Sequence, residues 1–235
     1  MRSLIVASIM APLALAASPL PEYPFVYVYG VATHEVAPDR ATITFRVKTY
    51  DVDADRTYKQ QAEVAGAVLS FAAKEGVADT DMVAQAIEKS VVRREDDNGK
   101  EFEVVGYEAV RAVTIQLKEL APFPDLIDFL YRQTNIEGIS VVFGSKDESV
   151  ILQKLTDKAC RTARENAEQL SNGFDKRLGT VRAISENGFA GLGSAFGLPG
   201  ESYYGASLAV SKRDFRVIPA TISFRKGVYA IFAIE

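Results

Sequence analysis

The chain is poor in the residues that most metal and redox sites need. It has one cysteine, Cys160, and one histidine, His34, in 235 residues. A single histidine excludes a multi-histidine metal site and the H-E-x-x-H motif of zinc proteases. A single cysteine excludes an intramolecular disulfide and a C-x-x-C redox pair. The sequence contains no catalytic motif either, so we predict no catalytic residue, no cofactor and no metal ion.

An excess of positive charge is also absent. There are 27 lysine and arginine residues against 31 aspartate and glutamate residues, a formal net charge of −4. Because lysine and arginine contacts to phosphate supply most nucleic-acid affinity, the chain is predicted not to bind nucleic acid. A composition that is 48% apolar and 25% charged excludes a disordered chain and is typical of a folded domain.

Long apolar runs are absent beyond the first residues. Arg2 precedes an apolar run over residues 4–15, and the small residues Ala16 and Ala17 follow it. One positive residue, a short apolar core and an A-x-A site are the pattern of a secretory signal peptide, with a membrane anchor or a buried helix as alternatives. We predict a signal peptide over residues 1–17, cleaved near Ala16 or Ala17. The mature protein is then expected in the periplasm, with the cell surface as the alternative and without a predicted membrane association.

Apolar residues at spacings of three and four predict three helices. The first has a cap within residues 51–55 and runs to about Lys74, the second covers residues 124–134, and the third covers residues 148–172. The third is predicted to open on a Ser145-x-x-Glu148 capping box and to stop at Gly173. The predicted inner stripes are Tyr58, Ala62, Ala65, Val68, Leu69 and Ala72 for the first helix, and Leu152, Leu155, Ala159, Ala163, Ala167 and Leu170 for the third.

Alternating patterns and turn residues predict the strands. After an extended, proline-rich lead-in over residues 18–24, residues 25–29 form a strand that Gly30 ends, and residues 41–48 alternate between apolar and polar. Further strands are predicted at residues 136–143 and 178–185. Asn98-Gly99 predicts one hairpin, and residues 215–224 and 228–234 a second around Lys226-Gly227.

This order of elements predicts the fold class. We expect an α+β domain over residues 25–235, with two β-α-β-β lobes at about residues 25–120 and 121–235. Mostly antiparallel sheets would pack against two long helices.

Three local patterns that could carry chemistry have simpler structural interpretations. His34 lies in a predicted turn with no nucleophile motif nearby, which indicates an exposed loop residue. Cys160 lies beside the alanine stripe, which predicts a small buried side chain, with a reactive thiol or an intermolecular bridge as alternatives. The aspartates of residues 51–55 resemble an EF-hand loop, but Arg56 and Ala62 occupy the positions of its glycine and glutamate, which favours helix caps.

One segment has no clear period. Residues 188–213 combine glycines with large apolar side chains, and a segment of this length is either mobile or functional. We predict a candidate interaction loop, with a mobile insertion as the alternative. Its candidate contact residues are Phe189, Leu192, Phe196, Tyr203 and Tyr204.

A series of weak motifs, in a fairly specific order, resembles the SIMPL-domain family of exported bacterial proteins over about residues 27–235. The motifs are Gly30 before Pro38-Asp39-x-Ala41, Gly76-Val77-x-x-x-Asp81, Gly106-Tyr107, Asn135-Ile136-x-Gly138-Ile139-x-Val141-x-Phe143, the helix with Ala159, Ala163, Ala167 and Leu170, Gly173, and Leu178-Gly179. Ala84 departs from the pattern, since a threonine is common there. The resemblance implies an α+β fold, ring-like homo-oligomers and a role in defence against oxidative stress. It implies no catalytic residue.

The leading hypothesis is a non-enzymatic periplasmic protein that acts through homo-oligomeric assembly and binding and protects against oxidative stress. Two alternatives stay open: a membrane-associated channel or scaffold, and an enzyme with an unrecognised carboxylate or tyrosine site. The sequence does not identify a ligand.

Overall fold

The computed structural model describes residues 23–95, 101–189 and 217–235. These residues form eight strands and three helices, so the predicted α+β class is confirmed. The strands are β1 (Phe25–Val36), β2 (Arg40–Asp51), β3 (Met82–Ala84), β4 (Glu88–Glu95), β5 (Glu101–Leu117), β6 (Ile136–Gly144), β7 (Leu178–Ser185) and β8 (Ile222–Ile234). The helices are α1 (Ala54–Lys74), α2 (Phe123–Arg132) and α3 (Glu148–Gly173).

Several predictions concern residues outside these ranges. The signal peptide, nearly all of the lead-in and the Asn98-Gly99 turn itself lie there, although β4 and β5 on either side of that turn pair antiparallel as a hairpin requires. Within the described ranges, no helix has both the length and the apolar character needed to cross a membrane.

The strands form two sheets. Five strands make one sheet, in which β5 lies between β2 and the strands β3 and β4, and β6 pairs with the other edge of β2. Three strands make the other, in the order β1-β8-β7. The predicted order strand-helix-strand-strand occurs twice, but the second copy is not a lobe of its own, because β6 pairs with β2 whereas β7 and β8 join β1.

The chain forms two compact units that are interleaved in sequence, whereas the sequence analysis divided it at about residue 120. Among the described residues, the small unit contains residues 23–31, 158–189 and 227–235. The large unit contains residues 32–95, 101–157 and 217–226.

The core of the large unit lies between one face of its sheet and helices α1 and α2. The predicted alternation of β2 is confirmed, since Ile43, Phe45 and Val47 are buried and pair with Ile115, Val113 and Arg111 of β5. Helix α1 contributes Ala65, Val68 and Ala72 to this core. Helix α2 contributes Leu126, Ile127 and Leu130, which the sequence analysis assigned to its inner face.

The N-terminal half of α1 buries polar residues where apolar ones were expected. Tyr58 is 57% exposed and Ala62 is exposed, so both are wrongly placed on the predicted inner face. Thr57 and Gln61 take the inner positions instead. The reason is local: this part of α1 covers the polar end of β2, where the Thr49 hydroxyl donates a hydrogen bond of 2.9 Å to the Thr57 carbonyl oxygen.

Two glycines that were predicted to end strands lie inside continuous strands. Strand β1 continues through Gly30 to Val36, so His34 is an exposed strand residue and not part of a turn. Strand β8 continues through Gly227, so the predicted final hairpin is wrong in the described residues. Gly227 is needed for a close approach, because an added Cβ would lie 2.6 Å from Cε2 of Tyr29.

Gly30 serves the same purpose against α3. A Cβ at this position would overlap the carbonyl oxygen of Ala159 and the amide nitrogen of Ala163, and would lie 2.7 Å from the Ala163 Cβ. The helix backbone therefore lies almost directly on the strand. The small unit builds its core around this contact from Val28, Ala163, Ala167, Ala230 and Phe232.

Helix α3 buries every fourth residue. The buried positions are Ile151, Leu155, Ala159, Ala163, Ala167 and Ser171, whereas the predicted stripe included Leu152, which is half-buried, and Leu170, which is exposed.

The ends of α3 also differ from the prediction in detail. Gly173 is still helical, and Asp175 adopts the positive φ of 52° that was expected at the glycine. At the other end, the Ser145 hydroxyl accepts a hydrogen bond of 3.3 Å from the backbone N–H of Asp147, one residue before the helix begins.

The contact at Gly30 gives a prediction with a matched control. We expect Gly30→Ala to lower the free energy of unfolding by about 1–3 kcal/mol, because a methyl group must displace helix backbone. Gly66→Ala, in α1 where an added Cβ meets nothing within 4 Å, should raise it by about 0.5–1 kcal/mol. Urea unfolding of both variants measures this difference. Equal effects of the two substitutions would contradict the close approach of α3 to β1.

Candidate functional site

The acidic residues before α1 form a helix cap. Asp53 Oδ1 accepts hydrogen bonds from the backbone N–H groups of Arg56 (3.1 Å) and Asp55 (2.8 Å). These bonds stabilise the ionised carboxylate and so lower the pKa of Asp53 below its ordinary value. Asp51 forms an ion pair of 3.3 Å with Arg56. The cap prediction is confirmed. Within the part of the chain that the structure describes, no group of three histidine, cysteine, aspartate or glutamate residues could hold a metal ion.

Cys160 is exposed, so its predicted burial is wrong. Its neighbour Ala159 is fully buried within the small unit. One residue further along an α-helix rotates the side chain by about 100°, which turns Cys160 away from the narrow alanine stripe.

Carboxylates on the outer face of the large sheet form ion pairs across the strands. Arg46 pairs with Glu137 at 3.3 Å, and Lys48 pairs with Glu108 at 2.8 Å. The hydrogen bond and the negative charge of Glu108 raise the pKa of Lys48. These pairs are partly exposed, so they are typical of a solvated sheet face.

One residue of the candidate interaction loop lies within the described ranges. The Phe189 ring makes an edge contact with the Tyr27 ring, with centroids 5.8 Å apart at 68°. Its predicted role in contacts between molecules stays a prediction. Leu192, Phe196, Tyr203 and Tyr204 lie outside the described residues.

Three tyrosines that the sequence analysis did not single out come together in the small unit. The Tyr29 and Tyr229 rings have centroids 4.5 Å apart at 34°, and the Tyr27 and Tyr229 rings are stacked at 6.0 Å and 19°. The alternation of a strand explains this, because Val28 and Gly30 are buried toward α3 while Tyr27 and Tyr29 point to the other face. We call Tyr27, Tyr29 and Tyr229 the tyrosine cluster.

A pocket of about 560 Å³ lies between β1 and the C-terminal part of α3. Asn166 fixes one wall, because its side-chain nitrogen donates a hydrogen bond of 3.0 Å to the Tyr29 carbonyl oxygen. Phe174 stands at the rim with 78% of its surface exposed. The lining residues, which we call the aromatic pocket, are Tyr27, Val28, Tyr29, Asn166, Gln169, Leu170, Gly173 and Phe174.

The chemistry of the aromatic pocket suits an uncharged ligand. Its rings and aliphatic groups offer apolar surface, and the Asn166 and Gln169 amides offer hydrogen-bond donors and acceptors. Among the described residues that line it, none is an aspartate, glutamate, lysine, arginine or histidine. The sequence analysis missed this pocket because its walls come from two segments that are distant in the chain.

Buried polar atoms occur beneath α1 in the large unit. Gln61 is fully buried, and neither its amide oxygen nor its amide nitrogen has a hydrogen-bond partner among the described residues. The Arg111 Nε atom is likewise buried without a partner there. A buried amide without partners costs stability.

Comparison with known proteins identifies the family. The family model SIMPL, described as a protein of unknown function (DUF541), matches residues 26–232. The chain belongs to the SIMPL family. It is 30% identical over 171 residues to the uncharacterized protein YggE of Edwardsiella ictaluri, a match that covers 73% of this chain and 71% of that protein. It is 28% identical over 172 residues to YggE of Escherichia coli K12, covering 73% and 69%.

The SIMPL-like motif residues have structural roles in this chain. Asp39 Oδ1 accepts a hydrogen bond of 2.8 Å from the Lys146 backbone N–H, which joins the start of β2 to the segment after β6. Gly76 and Gly138 adopt positive φ angles of 89° and 64°. Gly106 allows the Tyr50 ring to lie against the strand. These motif residues therefore have structural roles in this chain.

The unpartnered amide of Gln61 gives a testable prediction. Gln61→Met keeps the side-chain volume and removes both polar atoms, so we expect the free energy of unfolding to rise by about 1–3 kcal/mol. The control is Thr57→Val, because the Thr57 hydroxyl donates a hydrogen bond of 2.9 Å to the Asp53 carbonyl oxygen. Its loss should lower the free energy by about 0.5–1.5 kcal/mol. If Gln61→Met destabilises the protein, the amide is hydrogen-bonded in solution, and this interpretation is wrong.

Proposed function

We propose that this SIMPL protein is an exported, non-enzymatic protein that acts as a homo-oligomer, binds an uncharged ligand and protects against oxidative stress. The export follows from the signal-peptide pattern, and the protective role follows from what the family resemblance implies. The aromatic pocket supports the binding role. One observation carries the assembly, a strand pair that extends beyond the large sheet.

The extension exists because β5 is longer than its partner β2. The pairing of β2 with β5 ends where Asp51 meets Tyr107. Before that point, β5 pairs with β4 alone among the described residues, as in Arg94 opposite Glu103. We call residues 91–94 and 103–106 the β4–β5 arm. Tyr50 supports the base of the arm, where its hydroxyl donates a hydrogen bond of 2.8 Å to the Val105 carbonyl oxygen. A two-stranded ribbon is only marginally stable in water, so contact with another surface would stabilise the arm further.

The surface of the β4–β5 arm suits a second copy of the same chain. Val91 is 46% exposed and Val104 is 42% exposed, which leaves apolar surface to bury. Arg94 on one strand and Glu103 on the other form an ion pair of 3.4 Å, so the arm carries both signs of charge. A symmetric contact repeats the same patch on each subunit, where charges of both signs can pair across the interface.

A second candidate function is favoured by a specific observation. The tyrosine cluster supports the alternative of an enzyme with an unrecognised tyrosine site, because two of its members line the aromatic pocket. A ring with a wide lumen, seen by electron microscopy, would instead favour the scaffold alternative.

The assembly is tested by sedimentation at micromolar concentration. We expect the wild type to sediment as an oligomer and Val91→Lys with Val104→Lys to sediment as a smaller species, because two buried charges oppose the contact. The control is Val142→Lys on β6, where the side chain is 66% exposed and lies outside the arm. A monomeric wild type would overturn the assembly, and an arm variant of unchanged size would remove the arm from it.

Export and protection are tested together in cells that lack the gene. We expect the full-length chain to restore survival under an oxidant and a chain without residues 1–17 to fail, because a protein retained in the cytoplasm cannot act in the periplasm. Immunoblots of periplasmic and cytoplasmic fractions establish where each form lies. Equal rescue by the two forms would contradict a periplasmic role.

A further inference from the structure

We propose that the tyrosine cluster is a site of one-electron oxidation, at which peroxyl radicals join Tyr29 to Tyr229 through a dityrosine bond. This inference deepens the protective role proposed above and rests on it for its biological setting. The chemistry itself depends only on the small unit.

The composition makes tyrosine the main one-electron donor of this chain. Phenol, indole and thiol side chains lose an electron, or a hydrogen atom, more readily than other side chains. The chain has no tryptophan and one cysteine but ten tyrosines. Apart from the exposed thiol of Cys160, the readily oxidised groups of these three kinds in the chain are therefore its phenols.

The geometry favours the tyrosine cluster over other phenols. Its three rings lie within 4.5–6.0 Å of a neighbouring ring, so a radical formed on one ring has another phenol beside it. Tyr58, by contrast, is 57% exposed on α1 and has no aromatic neighbour among the described residues.

Small oxidants have access to the cluster. Tyr29 and Tyr229 are half-buried and not sealed in a core, whereas the hydroxyl oxygen of Tyr27 is buried.

The proposed reaction balances with peroxyl radical as the oxidant. Each peroxyl radical takes one hydrogen atom from a phenol O–H, giving a hydroperoxide and a tyrosyl radical whose unpaired electron is shared with the ring carbons beside the oxygen. Two such radicals form a carbon–carbon bond between these carbons. Each ring carbon then loses its hydrogen as a proton while its oxygen regains one. In sum, two tyrosines and two peroxyl radicals give one dityrosine and two hydroperoxides.

The ring positions select the pair that couples. The Tyr29 and Tyr229 rings are closer than the Tyr27 and Tyr229 rings, with centroids at 4.5 Å and 6.0 Å. The first pair is also tilted by 34°, which brings one edge of each ring nearer to the other. The bond is therefore expected between adjacent strands of one molecule.

The test treats purified, dilute protein with a water-soluble azo compound that releases peroxyl radicals. Trypsin cleaves after Arg40 and Lys226, so the product joins the peptide that ends at Arg40 to residues 227–235, in which Tyr229 is the only tyrosine. We expect this cross-linked peptide in the monomeric fraction after denaturing electrophoresis. Its mass should be the sum of both peptides less two hydrogen atoms, and fragmentation should place the link at Tyr29.

Matched variants decide the outcome. Tyr29→Phe and Tyr229→Phe keep the ring packing and remove the phenol, so each should abolish the product, whereas Tyr58→Phe should leave it unchanged. Circular dichroism confirms that each variant is folded. Oxidation that follows exposure, with Tyr58 modified first and no link to Tyr229, would overturn the inference. If the cross-link is absent but the cellular assay still shows rescue, the protective role stands and the dityrosine proposal fails. If the cross-link forms without rescue in cells, the protective role fails and the dityrosine chemistry stands.

Discussion

The contact between Gly30 and α3 is the constraint on which the small unit depends. Because β1 has no side chain at this point, the helix backbone at Ala159 and Ala163 lies directly against the strand. The alternation of β1 then fixes the rest: residues on one side of the strand pack on the alanines of α3, and the tyrosines on the other side meet Tyr229 of β8. Gly227 completes the arrangement by leaving room for the Tyr29 ring.

Local sequence patterns were sufficient to predict the three helices and several of the strands, but not how the strands are grouped into sheets. The period of two in β2 and the helical spacing of α2 were predicted correctly, because a partly buried strand and an amphipathic helix leave a periodic record in the sequence. Gly30 and Gly227 were misassigned because glycine marks a turn and a close backbone approach equally well. The residues that pack against each glycine distinguish a turn from a close approach, and those residues are distant in the sequence. Cys160 was misassigned for a related reason, since a stripe of alanines is too narrow to include its neighbours.

The candidate site could not be predicted from local signals. Tyr29 and Tyr229 lie near opposite ends of the chain, and their rings meet because β1 and β8 are neighbours in one sheet. The available signal was the alternation of tyrosines with small residues in β1. It indicates a strand with two different faces, but it does not identify the residue on the neighbouring strand. The SIMPL family is described as a protein of unknown function, so membership of it assigns no chemistry to the site.

Packing at Gly30 brings the phenols of the tyrosine cluster together, and we propose that one-electron oxidation is directed there. The most direct measurement is electron paramagnetic resonance of protein frozen soon after it meets peroxyl radicals. We expect a tyrosyl radical signal that falls sharply in a variant carrying Tyr27→Phe, Tyr29→Phe and Tyr229→Phe, while Tyr58→Phe retains it. A signal of equal strength in this triple variant would contradict oxidation directed to the cluster, because the radical would then reside on tyrosines outside it.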